Sequence, residues 1–240
     1  MRVLALDTAT EACSVALLTE HGLIFDSVEI GRGHAQEILG MVDRILAEGG
    51  ASLASLSGIV AGIGPGSFTG VRVSVAVAQG LAFGAGLAVT AVTSLEALAR
   101  EAIGAGAHQV LACLDARMGE VYWGCFAARM PGMLSALGPP AVGPPAAVRL
   151  PSGPADAASG VFRGIGRGFA AYPELCALPG LRVEPDDRRA LPQARAMARL
   201  GAMRLAAGEG VDPALLEPLY LRDKVARTEA ERGVDRSVGK

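Results

Sequence analysis

The sequence contains few of the residues on which hydrolases and metalloenzymes depend. There are three histidines, His21, His34 and His108, and neither an HExxH motif nor a GxSxG motif is present. The fourth residue after His34 is Ile38, so a helical histidine pair cannot form a metal site there. The four cysteines form no CxxC pair and have no base at a fixed spacing. The sequence therefore predicts no metal site and no catalytic residues, and His34 is interpreted as a helix cap or a surface residue.

An excess of one charge and long apolar runs are also missing. The net charge is −2 and the isoelectric point is about 6.0, which gives no overall basic surface for a nucleic acid. No apolar run reaches the ~18 residues that a membrane span needs without a charge or several glycines. Asp7 and Glu11 interrupt the apolar N-terminus, which argues against a secretion signal. We expect a cytoplasmic protein with reduced cysteines and no membrane contact.

The first hundred residues alternate between two kinds of hydrophobic pattern. Apolar runs bounded by turn residues predict strands, and apolar residues at helical spacing predict helices. The predicted strands are 3–7, 13–18, 23–30, 57–61 and 87–92, and the predicted helices are 35–48, 67–83 and one that begins at Ser94. This βββαβαβα order is typical of the ribonuclease H-like fold, an α/β fold with a mixed sheet flanked by helices.

A second copy of the opening pattern occurs near the middle of the chain. Residues 3–18 resemble residues 110–126, with Asp7 matching Asp115 at the end of an apolar strand. A duplicated unit predicts two lobes with a boundary near residues 101–108. A chance match between two apolar strands that each end in Asp explains the same observation and stays open.

Three later segments give little indication of a catalytic or binding function. Residues 131–160 carry paired prolines and predict a surface loop. Residues 188–205 predict a basic helix in which Arg195 and Arg199 share a face. A solvated face is favoured over an RNA contact because no aromatic residues are interleaved. The last eighteen residues, from Asp223, are mostly charged or small and are expected to fray.

The segment GIGPGSFTGVR, residues 62–72, places a glycine-rich loop between a strand and a helix, as phosphate-binding loops do. It lacks the GxxxxGK motif and any lysine, and its glycines do not give the GxGxxG spacing. The amides of residues 67–70 remain an alternative anion site. A structural role is favoured, in which Pro65-Gly66 forms a tight turn, Ser67 or Thr69 caps the helix, and the other glycines allow close packing.

The predicted helix 67–83 is apolar on more than one side. One stripe consists of Val71, Val75, Ala78 and Ala82, and a second consists of Val73, Val77, Leu81 and Gly84. The sheet of its own lobe can cover one stripe, so the other needs a neighbouring helix or another chain. With the apolar face of helix 35–48, this pattern predicts a helical interface, and an ordinary core helix is the open alternative. The predicted interface residues are Ile38, Met41, Val42, Ile45, Val71, Val75, Val77, Ala78 and Leu81.

Asp7, Thr8 and Thr10 form the one place where a carboxylate and hydroxyl groups could meet a hydrated Mg²⁺ ion and a phosphate. The counterpart Asp115 is followed by Ala-Arg-Met-Gly-Glu, which is bulky where a second phosphate loop would have glycines. These residues predict a degenerate nucleotide site. The alternative function is an independent ATP-dependent small-molecule kinase that anchors Mg²⁺ through Asp7 and Asp115.

Five segments together resemble one known family: MRVLALDTATEACSVAL at the N-terminus, the glycine-rich segment 62–84, TSLEALA at 93–99, LDARMGEVYWG at 114–124 and EPLYLR at 217–222. They are similar to the TsaB family, the small subunits of the bacterial machinery that makes N6-threonylcarbamoyladenosine at position 37 of tRNAs that read ANN codons. The match runs from the first residue to about Arg222. The resemblance implies the two-lobed fold of actin, sugar kinases and heat-shock proteins. It places residues 1–103 and about 218–240 in the N-terminal lobe and residues 104–217 in a second, smaller lobe.

The resemblance also implies how such a protein works. Members of the family are not catalysts themselves: they pair with a catalytic metal-binding subunit of the TsaD kind, and an ATPase subunit of the TsaE kind joins them. Two helices of the N-terminal lobe form the interface and, in isolation, a homodimer, while tRNA is contacted only through the complex. No cofactor is bound tightly, and ATP or ADP with Mg²⁺ is expected at the level of the complex. A metallopeptidase is not expected, because the metal ligands are absent.

Overall fold

The computed structural model describes residues 1–129, 133–151 and 161–222. The predicted loop 131–160 lies partly outside these ranges, and its described part is not all loop, because Leu134–Ala136 and Ala141–Gly143 form short strands between the prolines. The predicted frayed end from residue 223 lies wholly outside the described ranges. The described chain forms two β-sheets with helices packed on them. The predicted α/β fold with two lobes is therefore correct.

The first sheet is built from the N-terminal part of the chain. Its strands are β1 (Val3–Asp7), β2 (Ala12–Thr19), β3 (Gly22–Glu29), β4 (Gly58–Gly62) and β5 (Val89–Val92), in the order β3-β2-β1-β4-β5. β1, β2 and β3 form an antiparallel meander, whereas β4 runs parallel to β1 and to β5. Every residue of β1 is buried, so both faces of the sheet are covered at its centre.

The second sheet repeats this plan. Its strands are β6 (Gln109–Arg117), β7 (Glu120–Ala128), β8 (Leu134–Ala136), β9 (Ala141–Gly143), β10 (Phe162–Ile165) and β11 (Leu181–Arg182). The order β11-β10-β6-β7-β8 matches the first sheet with β6 in the place of β1, and β9 also pairs with β7. The shared order favours duplication over a chance match. It puts Asp7 and Asp115 at corresponding positions of the two lobes.

Five α-helices occur in the described residues: α1 (His34–Glu48), α2 (Phe68–Ala85), α3 (Ser94–Gly104), α4 (Gly168–Ala171) and α5 (Ala194–Ala206). α1 and α2 pack on one face of the first sheet, against Leu4 and Leu6. α5 packs on the opposite face, against Val3 and Ala5. α3 and α4 pack on the second sheet.

The two lobes exchange a pair of helices, α3 and α5. α3 directly follows β5 of the first sheet, yet Leu95 and Leu98 of α3 pack in the core of the second sheet. α5 follows the second sheet but covers the first, and an ion pair of 2.9 Å between Arg195 and Glu101 joins α5 to α3. The predicted lobe boundary at residue 104 places α3 in the first lobe and α5 in the second. In the structure, α3 packs on the second sheet and α5 packs on the first. The predicted lobe and the covered sheet differ for these helices because their packing partners lie far away in sequence, and residue spacing along the chain does not reveal such partners.

The predicted basic helix begins later than residue 188. Residues Asp187–Arg189 form a single 3-10 turn, and α5 starts at Ala194, after Pro192. Proline lacks an N–H group and disfavours helical geometry at the residue before it, which moves the helix start beyond it. The Arg195 guanidinium lies 5.2 Å from the centre of the Phe25 ring in addition to its pairing with Glu101. Arg195 and Arg199 are both exposed, which agrees with the solvated-face interpretation, and Arg195 also contacts neighbouring elements.

α2 is, within the described ranges, the one helix that is long and apolar enough to cross a membrane. In the fold, Val71, Val75 and Ala78 pack in the core of the first lobe. The Gln79 side-chain amide donates to the carbonyl groups of Pro213 at 2.9 Å and Leu216 at 3.1 Å. These contacts make α2 an integral part of the first lobe.

Candidate functional site

A cleft of about 650 Å³ opens between the two lobes. The first lobe contributes the β1–β2 turn (residues 9–11), the start of α1 and the glycine-rich loop. The second lobe contributes residues 114–117 at the β6–β7 turn and the loop and helix around α4. This is where a degenerate nucleotide site would lie, since the turns that follow β1 and β6 face each other across it.

The glycine-rich loop packs against the β1–β2 turn. The Ser67 amide donates to the carbonyl oxygen of Ala9 at 2.7 Å, and the Thr8 hydroxyl donates to the carbonyl oxygen of Gly70 at 2.6 Å. A Cβ on Gly66 would lie 2.1 Å from the Ala9 carbonyl oxygen, closer than any real contact. The Ser67 hydroxyl caps α2 by accepting from the Gly70 amide at 3.3 Å. The structural interpretation of this loop is confirmed, because its glycines allow backbone contacts and two of its amides are already satisfied.

Asp7 is buried beneath this contact and does not line the cleft. Its Oδ1 accepts a hydrogen bond from the Ala9 amide at 3.2 Å, whereas its Oδ2 has no partner among the described residues. Burial raises the pKa of Asp7 to about 7, because the charged form is excluded from water. The hydroxyl of Thr8 is taken by Gly70, and Thr10 is the one of the three predicted contact residues that reaches the cleft wall.

Asp115 lines the cleft, but both of its carboxylate oxygens are bonded to Arg117 in its own turn. Its Oδ1 accepts from the Arg117 amide at 2.8 Å, and its Oδ2 lies 3.0 Å from the Arg117 guanidinium. Arg117, Met118 and Gly119 all have positive φ angles, of 61°, 57° and 80°, which is rare for two successive residues with side chains. The turn thus carries side chains at positions where a second phosphate loop would have glycines. Asp7 and Asp115 do not meet across the cleft, and the residues present do not fit a Mg²⁺–nucleotide clamp.

His34 lies at the first helical position of α1 and is half-buried, so it is neither the helix cap nor a fully exposed surface residue as interpreted from the sequence. Its Nε2 is 2.9 Å from the Thr10 carbonyl oxygen, so the ring ties α1 to the β1–β2 turn. Gly33 occupies the N-cap position itself. Within the described ranges, no three His, Cys, Asp or Glu side chains are arranged to hold a metal ion.

The predicted interface residues fall into two groups. Ile38, Met41, Val42 and Ile45 of α1, and Val71, Val75 and Ala78 of α2, are buried in the core of the first lobe. They cannot offer surface to a partner, since α1 and α2 turn their strongest apolar faces to the sheet. Val77 and Leu81 are half-buried at the edge of that core and remain accessible.

The most exposed face of α2 is a third stripe, in addition to the two that the sequence pattern indicates. It runs at four-residue spacing through Phe68, Arg72, Ala76, Gly80 and Gly84, all of them exposed. Phe68 is 49 % exposed and the adjacent Phe83 is 58 % exposed, and Leu39 on the neighbouring helix is 49 % exposed. Extending the helical spacing back to Phe68 would have revealed this stripe. We call these exposed apolar residues (Leu39, Phe68, Ala76, Gly80 and Phe83) the α2 surface.

The C-terminal EPLYLR segment connects the two lobes beside the cleft. The Leu219 amide donates to the carbonyl oxygen of Ile63 at 2.8 Å in the first lobe. Arg222 pairs with Glu120 and donates to the Ala116 carbonyl oxygen at 3.2 Å in the second lobe. The Arg72 guanidinium lies 3.4 Å from the centre of the Phe68 ring and 5.6 Å from that of Tyr220. The EPLYLR motif thus connects the start of α2 to the β6–β7 hairpin.

Comparison with known proteins places the chain in a family. Residues 28–156 match the family model described as TsaD, tRNA N6-adenosine threonylcarbamoyltransferase. The Escherichia coli K12 protein named tRNA threonylcarbamoyladenosine biosynthesis protein TsaB is 42 % identical over 228 residues, which cover 94 % of this chain and 96 % of that protein. The Haemophilus influenzae protein of the same name is 48 % identical over 124 residues, covering 51 % of this chain and 52 % of that protein.

A solved structure agrees with the sequence comparison. The structure of YeaZ from Pseudomonas aeruginosa is 41 % identical and superposes with a TM-score of 0.83, covering 92 % of this chain and 99 % of that one. The Escherichia coli and Pseudomonas aeruginosa proteins are thus matched along nearly their whole length, the first in sequence and the second also in fold. The chain belongs to the TsaB family of tRNA threonylcarbamoyladenosine biosynthesis proteins.

Proposed function

We propose that this chain is a non-catalytic partner subunit that supports a catalytic, metal-binding subunit of the TsaD kind in making N6-threonylcarbamoyladenosine on tRNA. Family membership supports the pathway. The cleft supports the absence of catalysis by the chain alone: Asp7 is buried, and Asp115 is bonded to Arg117. No observation favours the alternative of an independent kinase.

The observation that carries the partner role is the α2 surface. Exposed aromatic side chains at both ends of a helix, with Ala76 and Gly80 between them, allow another helix to approach closely. Apolar patches of this kind, left uncovered, mark interaction sites. A stable interface buries roughly 1,200 Å² or more in total, so a partner would cover neighbouring parts of α1 as well.

The remaining parts of the proposal rest on what membership of the TsaB family implies about partners and nucleotides. The partner on the α2 surface is the TsaD-like subunit, and a second copy of this chain takes its place when that subunit is missing. A TsaE-like ATPase joins the complex in the cytoplasm, and tRNA is contacted through the assembled complex. ATP or ADP with Mg²⁺ acts at the level of the complex.

The α2 surface is tested by Ala76→Glu, which places a charge at the centre of the exposed stripe. We expect the variant to keep the thermal stability of the wild-type protein, because Ala76 is exposed in the single chain. We expect it to lose binding to the TsaD-like subunit by about 100-fold or more, since an unpaired carboxylate buried in an interface costs several kcal/mol. Pull-down and light scattering measure the two associations, and a reconstituted modification assay measures function.

Met203→Glu is the matched control. Met203 is 37 % exposed on α5, on the opposite face of the first sheet. This variant should bind and support modification as the wild-type protein does. Unchanged binding and unchanged oligomeric state in Ala76→Glu would exclude the α2 surface as the interface. ATP hydrolysis or kinase activity by the purified chain alone would contradict the non-catalytic role.

A further inference from the structure

Charged side chains from both lobes meet at the mouth of the cleft. Glu11 extends from the β1–β2 turn of the first lobe, whereas Arg117 and Arg167 come from two separate elements of the second lobe. Glu11 Oε1 accepts a hydrogen bond from Arg117 Nη2 at 2.9 Å, and Glu11 Oε2 lies 3.6 Å from Arg167 Nη1. Each oxygen of one carboxylate therefore faces a different guanidinium across the lobe boundary.

Further contacts orient these three side chains. Asp115 binds Arg117 through both its amide and its guanidinium, as described above. Glu29 at the end of β3 pairs with Arg167 Nη2 at 2.5 Å, which gives Arg167 two carboxylate partners in the first lobe. The Glu11 backbone is fixed as well, because its carbonyl oxygen accepts from the Ile30 amide at 2.8 Å. The network is thus assembled from groups that are already held in place.

The charge balance of this network opposes a phosphate ligand. It contains three carboxylates, Glu11, Glu29 and Asp115, and two guanidinium groups, so its net charge is about −1 at neutral pH. Both guanidinium groups already bind carboxylates. A phosphate entering the cleft would have to displace Glu11 and would then face two further carboxylates.

Two-lobed proteins commonly close around a ligand that contacts both lobes. In this chain the contacts across the mouth come from the protein itself. The exchanged helices α3 and α5 also join the lobes, as do the contacts of the C-terminal segment with Ile63 and Glu120. We infer that Glu11 is a built-in latch, which holds the two lobes closed at the cleft mouth without any ligand and so fixes their relative orientation. This inference concerns lobe orientation and does not depend on the proposed partner.

The latch predicts where the protein should open when the Glu11 charge is removed. In Glu11→Gln, amide hydrogen exchange should become about threefold faster, or more, at residues 115–121 and 166–171, because local opening is limited by the contacts that hold those segments. Exchange in α1, α2 and the strands of the first sheet should not change. Glu20→Gln is the control, since it removes a pair with Arg2 at 3.3 Å that lies within the first lobe. This control should leave exchange in both segments unchanged.

Salt provides a second test that needs no variant. Raising NaCl from about 0.1 M to about 1 M screens partly exposed ion pairs, so it should accelerate exchange in the same two segments of the wild-type protein. In Glu11→Gln the effect of salt should be smaller than in the wild-type protein, because, of the ion pairs that join these segments to other described parts of the chain, only the Glu29–Arg167 and Arg222–Glu120 pairs remain. The effects of Glu11→Gln and Arg117→Gln on exchange should be less than additive in the double variant, because both changes break the Glu11–Arg117 contact. Exchange in residues 115–121 and 166–171 that is indifferent to both salt and Glu11→Gln would overturn the inference.

Discussion

Thr8 and Gly70 contact each other through both their backbones and a side chain. The Thr8 hydroxyl donates to the Gly70 carbonyl oxygen at 2.6 Å, and a Cβ on Gly70 would lie 2.0 Å from the Thr8 carbonyl oxygen. Thr8 directly follows the central strand of the first lobe, which ends at Asp7, and Gly70 lies in the first turn of α2. The strand end and the helix start therefore form one packed unit, which any side chain at position 70 would separate.

Gly70→Ala should destabilise the protein by about 2 kcal/mol or more, because the new methyl group meets backbone atoms that cannot move away independently. Gly80→Ala is the control in the same helix, since a Cβ at Gly80 meets nothing within 4 Å. That substitution should raise the free energy of unfolding by about 0.5–1 kcal/mol through helix propensity. Urea denaturation of the two variants measures the difference. Equal stability would show that the contact between Thr8 and Gly70 is not close in solution.

Asp7 should make stability fall as the pH rises. Burial raises its pKa from the ordinary value of 3.8 to about 7 in the folded protein. Below pH about 4 the carboxyl group is protonated in both states, and between about 4 and 7 only the unfolded chain releases the proton. The folded state therefore loses relative stability across this range, by a few kcal/mol at most, and the loss is complete above pH about 7.

Asp7→Asn removes this titration. The free energy of unfolding of the variant, relative to the wild-type protein, should increase between pH 5 and pH 8 in denaturation experiments, by a few kcal/mol at most. Asp43→Asn, at an exposed position of α1, serves as the control and should show no such trend. A difference between Asp7→Asn and the wild-type protein that is constant with pH would mean that Asp7 is ionised in the fold.

The second lobe depends on an ion pair between Arg163 and Asp187. Arg163 Nε lies 2.7 Å from one carboxylate oxygen of Asp187, and Nη2 lies 2.9 Å from the other. Hydrogen bonding to Asp187 raises the pKa of Arg163, because this partner stabilises the charged guanidinium. Asp187→Asn would leave that charge without its bidentate partner, and the expected destabilisation is about 2 kcal/mol. The adjacent Asp186 is exposed, and Asp186→Asn should change stability by less than about 0.5 kcal/mol in the same urea titration.

Val75 and Val77 lie on the two stripes of α2 that the sequence indicates, and the structure distinguishes them. Val75 is 5 % exposed in the core, whereas Val77 is half-buried at its edge. Val75→Glu should therefore unfold the first lobe or destabilise it by several kcal/mol, because it buries an unpaired carboxylate. Val77→Glu should fold with a smaller loss and weaken partner binding. Thermal melts combined with a pull-down separate the two effects, and the reverse order of stabilities would contradict this orientation of α2.

The elements of the first lobe could be predicted from local patterns because each strand is an apolar run with turn residues at its ends. β1 matches its predicted bounds, and α1 starts one residue earlier than predicted. Pro192 could have corrected the start of α5, since a proline near a helix start is a local signal. The exchange of α3 and α5 could not be predicted, because both helices have apolar faces that fit either sheet.

The candidate site was harder to predict than the fold. An apolar residue on a helix does not reveal whether it faces the sheet or a partner, so the predicted interface was mostly assigned to core positions such as Ile38 and Val75. The position of Asp7 was predicted correctly at a strand end, but its side chain packs against Gly62, which lies far from it in sequence. Pairing across the cleft between Glu11 and Arg117 depends on the approach of two lobes that no local pattern encodes.

The position of α5 on the first sheet has a consequence for synthesis of the chain on the ribosome. The last strand of that sheet ends at Val92, but the helix that covers one of its faces begins only at Ala194. Synthesis proceeds at about 5–20 residues per second, so roughly 5–20 s pass between the addition of Val92 and the addition of Ala194. During that interval Val3, Ala5, Ala16 and Val60, which α5 later buries, lack their final cover. The nascent first lobe therefore exposes an apolar sheet face that chaperones or the emerging second lobe must shield before folding is complete.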